Sequence, residues 1–373
     1  MQTDERTGGD GLVDGFVEVP TDVYRDAPDW IPEDPAAVER AFGPDNPWFA
    51  QGEAVSLCAA DRARVAVFFQ PTLRVEERKV AFFGYWETTG EPDADAALFA
   101  RAEAWAIERG AVDVYGPIDF TTYGEYRLRL SLDAEGALPF PDEPYNPSTY
   151  PAILEGLGYT VDQHYLTQIG HISAGRMLAD YKRPVLHELE ADGYRFETLS
   201  PDLWMDSLRE LHGIIDAMFG RNFAYSPLTW ETFEAKCGLS FIRRACPHSS
   251  VISFGPEGDI AGFFLVYPHY GPLVVQAAGA DRVESSDLDF ATHAPLLAQQ
   301  EWTGAIAKTT GVAPKHRRKG VMEALGVGLI DRGGDLYDNW FGAMIRKGNP
   351  SGRFADAYSA GERWYGLFRK RLD

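Results

Sequence analysis

Thr309-Thr-Gly-Val-Ala-Pro-Lys-His-Arg-Arg-Lys-Gly-Val-Met-Glu-Ala-Leu325 is the stretch on which the fold of this chain turns. It closes a β-rich run that begins at Gly304, passes through a turn at Pro314, and from Val321 onward shows the apolar spacing of a helix. Arg317, Arg318 and Lys319 fall in the turn, and Gly320 stands at the helix entrance. A helix start presents unpaired N–H groups and a partial positive charge, and a glycine there lets a ligand approach the backbone. Three cations beside it make the segment an expected anion cradle, suited to a pyrophosphate. It is not a Walker loop, because no Gly-x-x-x-x-Gly-Lys-Ser/Thr is present, and no Gly-x-Gly-x-x-Gly occurs either. An isolated run of charge is ordinarily a solvated surface; the position between strand and helix sets this one apart.

The surrounding sequence repeats itself. Asn146-Pro-Ser, with Gly158 downstream, aligns with Asn349-Pro-Ser and Gly361 at an offset of 203 residues. Ile107-Glu-Arg-Gly-Ala-Val-Asp-Val-Tyr aligns with Ile330-Asp-Arg-Gly-Gly-Asp-Leu-Tyr at 223, and Thr88-Thr-Gly with Thr309-Thr-Gly at 221. Three matches in one order predict a duplicated unit. The changing offset places about 20 extra residues between a strand and the last helix of the first copy. In that copy the basic turn is replaced by Glu91-Pro-Asp-Ala-Asp95, whose carboxylates repel a pyrophosphate. The first copy is therefore expected to be non-catalytic, covering its partner or shaping an acceptor pocket.

Length and composition agree with two domains. The chain has 373 residues, more than a single core usually spans, and 45% of them are hydrophobic. A formal charge of −21 argues against nucleic acid or an anionic membrane as partner, while an acidic rim would attract a cationic amine. Cys58, Cys237 and Cys246 form no CxxC pair, so neither a disulfide framework nor a metal site is indicated. The polar N-terminus and the lack of a long apolar run suggest no signal peptide and no membrane span, and a cytoplasmic setting is expected. The expected layout is a flexible tail (1–15), a first domain (16–172), a connector of short elements (173–194), and a second domain (195–373). Helix is expected at Leu203 to Phe219, and strands near Phe241, at Ser250 to Phe254 and at Ile260 to Tyr267.

Val312-x-Pro-x-x-Arg317-Arg-Lys-Gly320-Val-Met322 resembles the central motif of the GNAT superfamily of N-acyltransferases, departing from it only at Met322, where Gly or Ala is usual. The resemblance extends over about 195–373, through Asn339-Trp-Phe-Gly-Ala-Met-Ile345, Asn349-Pro-Ser and the closing Arg363 to Arg371. The first copy looks like the leading half of duplicated bacterial proteins of that kind. The resemblance implies an α/β (α+β) fold of two tandem GNAT-like domains, each a mixed, mostly antiparallel sheet flanked by helices. It implies acetyl-CoA or another acyl-CoA as co-substrate, held by Gly311, Val312, Arg317, Arg318, Lys319, Gly320, Val321, Met322 and Asn349, with no metal. The acceptor would be an amine of a small molecule or peptide, with transfer direct and the oligomeric state left open.

The catalytic groups are less legible. The amine must lose a proton, yet the strand 304–311 holds Lys308 and no acid. Tyr358 is the expected acid for the departing thiolate, although it stands one place from the family position. His269 is a candidate for the acceptor cleft. Cys237 and Cys246 flank a predicted strand, and folding decides whether either reaches the site. The same duplicated pattern resembles aminoacyl-tRNA-dependent transferases, and a non-catalytic acyl-CoA-binding protein is the other alternative.

Overall fold

A computed structural model of the chain describes residues 3–59, 62–130, 138–349, 352 and 359–372. In the first half, β1 (Asp4–Thr7), α1 (Val19–Val23) and α2 (Pro35–Phe42) precede β2 (Glu53–Ala59), β3 (Ala63–Val75) and β4 (Arg78–Thr88). These lead to α3 (Pro92–Glu108), β5 (Asp113–Gly116), the short β6 (Leu128–Arg129), α4 (Tyr150–Gly156) and β7 (Thr160–His171). The second half comprises α5 (Ile172–Ala191), β8 (Arg195–Thr198), α6 (Pro201–Phe219), α7 (Trp230–Cys237) and α8 (Leu239–Ile242). It continues with β9 (Val251–Phe254), β10 (Ile260–Pro268), α9 (Gly271–Val274), α10 (Phe290–Leu297), β11 (Gly304–Val312), α11 (Val321–Gly333), β12 (Asn339–Arg346) and β13 (Gly361–Arg371).

The described strands form one sheet in the order β1-β2-β3-β4-β5-β13-β7-β12-β11-β10-β9-β8, with β6 added against β13. The order is nearly palindromic. Each half contains one parallel pair, β4 with β5 and β11 with β12, and the rest is antiparallel. The two halves meet at β7 and β13, which pair along nearly their whole lengths, from Gly361↔Ile169 to Arg369↔Thr160. The C-terminal strand therefore does not close the edge of its own half. It lies between β5 and β7, and β7 in turn pairs with β12. Backbone groups along this seam gain ladder partners that an edge strand would lack, apart from a register shift between Leu367 and Phe368.

Local chemistry fixes the elements that frame the second half. β10 is an unbroken apolar run buried along its full length, as a central strand covered on both faces should be. Ser200 caps α6 by accepting from the Leu203 N–H at 3.1 Å, and Pro201 occupies the first turn, where its missing N–H costs nothing. α5 packs along α11, with Arg183 bridging to Asp331 and Gly175 resting on Ile330.

Three expectations are corrected. Of the expected tail 1–15, the described residues 3–15 are not loose. Asp4–Thr7 pairs with β2 from Asp4↔Cys58 to Thr7↔Val55, and the Val13 N–H donates to Ser56 Oγ at 3.0 Å. The edge of β2 needs partners for its own N–H and C=O groups, and this segment provides them. The lead-in beyond it is tied down by Arg64, buried and bidentate to Glu33 at 2.7 and 2.9 Å. The connector 173–194 is mostly a single helix of 20 residues, α5, which buries Leu178, Leu186 and Leu189. The segment around Phe241 is a helical turn, α8, packed beside α6.

At the seam, Arg363 on β13 and Glu143 of the 138–149 segment are both fully buried and paired, with Nη1 to Oε1 and Oε2 distances of 2.8 and 2.6 Å. The Tyr365 hydroxyl also donates to Glu143, and burial with that carboxylate beside it raises the hydroxyl well above its usual range. Removing one member of a buried pair strands the other charge, at about 3–5 kcal/mol. Arg363→Met and Glu143→Gln are each expected to lose stability on that scale in urea melts, and the double substitution Arg363→Met/Glu143→Leu less than their sum. Full additivity would refute the pairing. At Gly320 the backbone has φ of +90°, and a Cβ would overlap Val185 Cγ1 of α5. Gly320→Ala should therefore cost about 1–3 kcal/mol in strain beyond the overlap, and adding Val185→Ala should recover only the steric share.

Candidate functional site

The parallel pairing of β11 with β12 runs from Gly304↔Asn339 to Ala307↔Gly342 and stops. Immediately beyond, Lys308 is an extra residue between Val266↔Ala307 and Leu265↔Thr309, which is a β-bulge. β12 bulges at the same level, between Gly342↔Gln168 and Ile345↔Leu166, with Met344 at φ +52°. The two strands splay, and a cavity of about 750 Å³ opens there. Lys308, Thr309 and Thr310 line one side, Ala343 to Arg346 another, and Met322 and Gly326 of α11 its end. Trp204, Ile215 and Phe219 bring α6 to the remaining wall.

In the first half the equivalent opening is filled. The Ile118 N–H donates to the Phe83 carbonyl at 2.7 Å, and the Tyr85 N–H to Asp119 Oδ1 at 2.8 Å. A side chain on Gly84 would collide with both Asp119 and Ile118. Glu91 begins α3, where its carboxylate meets Arg62 at 2.8 Å.

The turn between β11 and α11 is built as strand, turn and helix, but its cations are not equivalent. Arg317 points back into the protein, donating to the carbonyls of Val312 at 3.2 Å and of Ala217 and Met218 at 3.1 Å. It caps the end of α6. His316 is buried between the Tyr194 hydroxyl at 2.9 Å and Asp259 at 3.0 Å, and Asp259 also pairs with Lys315. Arg318, at φ +63°, and Lys319 are exposed. Gly320 caps α11 with no side chain, so none satisfies the first-turn N–H groups. The Val321 side chain is in the core, and Gly311 packs against Met218 and Phe219. Met322 lines the cavity with its sulfur 3.2 Å from Thr310 Oγ1, and Asn349 lines it too. Gly311, Val312 and Arg317 to Val321 are not in the cavity wall. Tyr358 lies outside the described residues. His269 is buried away from the cavity, bonded to the Leu138 carbonyl at 3.0 Å, and burial lowers it to about 4, so it is neutral.

A further wall comes from the first half. Between β5 and α4, where the extra residues of the first copy fall, Tyr123, Glu125, Arg127 and Asp142 line the cavity. Tyr123 is tied to α6 through the Tyr225 hydroxyl at 3.2 Å, which in turn donates to Asp216. Asp142 receives Lys308 Nζ at 2.8 Å and faces Arg244 at 3.9 Å. Burial alone would raise this carboxyl, but the two cations outweigh it and hold the group well below the usual carboxylate range. Glu125 is exposed on the cavity wall that it lines. Desolvation by the protein enclosing the cavity raises it to about 7, with Asp142 and Glu33 adding repulsion and Lys308 and Arg64 opposing. Glu125 thus places a carboxyl with proton affinity near neutrality where β11 itself holds no acid; sequence reasoning missed it, and the extra residues of the first copy are the signal that could have directed attention there.

Cys237 also lines the cavity, and burial raises its thiol to about 11. Cys246 is buried elsewhere. Among the described residues, the cavity wall holds six cationic side chains against two carboxylates. Among the described residues, no cluster of potential metal ligands occurs and no helix is long and apolar enough to cross a membrane.

No family model matches the chain. Protein YghO of Escherichia coli K12 is 29% identical over 157 residues, which is 39% of this chain and 38% of that protein. Among solved structures, a probable N-acyltransferase of Enterococcus faecalis V583 superposes with a TM-score of 0.52 at 9% identity, covering 100% of this chain and 73% of that one. A GCN5-related N-acetyltransferase of Anabaena variabilis gives 0.51 at 7% identity, with 99% and 73% covered. The GCN5-related glucosamine N-acetyltransferase region of a fungal multi-domain GH3 β-N-acetylglucosaminidase gives 0.50 at 13% identity, covering 99% of this chain and 38% of that one. With a splayed parallel pair in its second half and the same strand order mirrored in its first, the chain has the fold of the GCN5-related N-acetyltransferases.

Proposed function

We propose that the chain is an acyl-coenzyme A-dependent N-acyltransferase that moves an acyl group, of which acetyl is the simplest, directly to the amine of a small molecule or peptide. The observation that carries this reading is the opening between β11 and β12 beyond Ala307 and Gly342, continuous with a cavity bearing a carboxyl poised near neutrality.

The residues present fit the co-substrate in part. The uncapped start of α11, the left-handed Gly320 and the exposed Arg318 and Lys319 suit a pyrophosphate. The edge of β11 over 308–312, released from β12, suits the amide groups of a pantetheine arm. Arg317 supports the turn from behind and does not join the ligand set, and Val321 contributes backbone only.

Glu125 can take a proton from the bound ammonium, directly or through water, because its own affinity for protons lies near neutrality. The freed lone pair attacks the thioester carbonyl and a C–N bond forms; the C–S bond then breaks, the sulfur leaves carrying the electron pair, and the second proton of the attacking nitrogen passes to it, giving the amide and the free thiol. An N–H of the released β11 edge is placed to stabilise the carbonyl oxygen as charge develops on it. Cys237, kept as a thiol, has no part in this sequence.

Calorimetry should give one coenzyme A per chain, since the first half fills its opening. Arg318→Glu or Gly320→Asp in folded protein should weaken affinity at least about tenfold. A stoichiometry of two, or unchanged affinity, would contradict the site.

The rate, kcat/KM, should rise with pH through about 7 as Glu125 ionises. Glu125→Gln should flatten that rise and lower kcat by roughly 10²–10⁴. The folded protein holds this proton to higher pH than the unfolded chain does, so Glu125 withdraws stability as pH climbs above the ordinary carboxylate range. Glu125→Gln should accordingly melt higher than the unaltered chain at pH 8, and a lower melting point there would count against the assignment.

Changing Cys58, Cys237 and Cys246 together to Ser or Ala should leave kcat within a few-fold, with intersecting initial-rate lines. Parallel lines and an acylated cysteine in mass spectra would refute direct transfer.

A further inference from the structure

Arg127 is a buried cation with no counter-ion among the described residues. It is only 8% exposed, its Nε and Nη1 are shielded from water, and neither has a hydrogen-bond partner. Its guanidinium carbon lies 3.6 Å from the ring centroid of Tyr126 and 4.3 Å from that of Tyr165, and the Tyr165 side chain also hydrogen-bonds it. No carboxylate lies within ion-pair distance of it among the described residues. Its backbone has φ of +90°, a conformation costly for a long side chain and found chiefly where a site requires it. Arg127 lines the cavity two residues from Glu125. Arg346, directly across β7 and β12 from Tyr165, lines it too and likewise forms no ion pair among the described residues. Of the other four cations, Lys308 and Arg244 are committed to Asp142 and Lys182 lies 3.9 Å from Glu323, while Lys236 forms no ion pair among the described residues and stands at the end of α7, beside Cys237.

We infer that Arg127, with Arg346 beside it, binds an anionic group of the acceptor, so that the amine receiving the acyl group also carries a carboxylate or a phosphate. A desolvated guanidinium offers a planar fork of donors that matches either anion, and a charge-assisted bond there is worth more than at a surface. The placement also separates tasks along one segment: Glu125 faces the ammonium end of the acceptor, and Arg127 holds its anionic end. An acceptor of this kind brings no net positive charge to a wall with six cations and two carboxylates, whereas a simple diamine would be repelled. This inference rests on the acyltransferase reading for the amine, but the anion site itself does not depend on it.

The test uses the full chain and matched pairs of amines: each common α-amino acid against its carboxamide, and O-phosphoethanolamine against ethanolamine. Thiol release from acetyl-CoA and thermal stabilisation of the coenzyme A-saturated protein are both read. The anionic member of at least one pair should exceed its neutral partner by about tenfold or more in kcat/KM, carried mainly by KM, and should alone raise the melting temperature. The carboxylate and phosphate pairs tell the two sources apart. Arg127→Met should abolish the preference without lowering the melting temperature of the unliganded protein, because it removes an uncompensated buried charge. Arg346→Gln, at an exposed position, should reduce the preference by a smaller factor and guards against misfolding of the first variant. Equal use of neutral and anionic partners, no stabilisation by any anionic amine, or a preference intact in Arg127→Met would each overturn the inference. So would weakened coenzyme A affinity in Arg127→Met with no change in acceptor preference, since Arg127 would then serve the coenzyme. If coenzyme A fails to bind while an anionic amine still stabilises the chain through Arg127, the acyltransferase reading falls and the anion site stands.

Discussion

The buried pair between Arg363 and Glu143 is the constraint on which the rest of this structure depends. Arg363 belongs to the last strand, and Glu143 to a segment more than two hundred residues earlier in the chain. Neither charge tolerates burial alone, so their meeting requires that β13 lie inside the sheet and not at its edge. With β13 in place, Glu143 also accepts from Tyr365 and from the Phe140 N–H, and the 138–149 segment is fixed against the second half. Phe140 then enters the core around α6, and Asp142 meets Lys308.

That chain of contacts explains why a half that has closed its own strand opening is retained. The first half fills the gap between β4 and β5 with Ile118 and Asp119, and contributes instead a wall to its partner's cavity. Between its β5 and α4 lie Glu125, Asp142 and Arg127 of that cavity. The second half supplies the splayed strands and the start of α11. Each half alone would hold part of the cavity, the first lacking the strand opening and the second lacking the two carboxyls that line it.

Electrostatics follow the same division. The surface carries most of the −21 formal charge, while the cavity wall is cationic. The net charge describes the outside and says nothing of the interior, since the field within a cavity is set by the few groups that line it. Glu125 and Asp142 show the point. Two carboxyls on one wall are driven in opposite directions, one up by burial and one down by Lys308 and Arg244, purely by what folding places beside them.

By itself the sequence determined what short-range rules can encode. The strand, turn and helix at 304–333 are written in β-branched residues, Pro314, Gly320 and helical periodicity, and the duplication in residues repeated in one order. The roles of individual turn residues were not legible there: Arg317 reads as a ligand cation beside Arg318 and Lys319, yet it turns back to the α6 carbonyls because those acceptors arrive only with the fold. The N-terminal segment reads as a polar tail because nothing local shows the unsatisfied edge of β2. Only the tertiary structure decided the exchange of β7 and β13, the meeting of Glu143 with Arg363, and the delivery of Glu125 and Arg127 to a cavity in the other half. These are juxtapositions of residues far apart in the chain, and a residue's proton affinity, like its need for a counter-ion, is set by neighbours and solvent that sequence order does not specify.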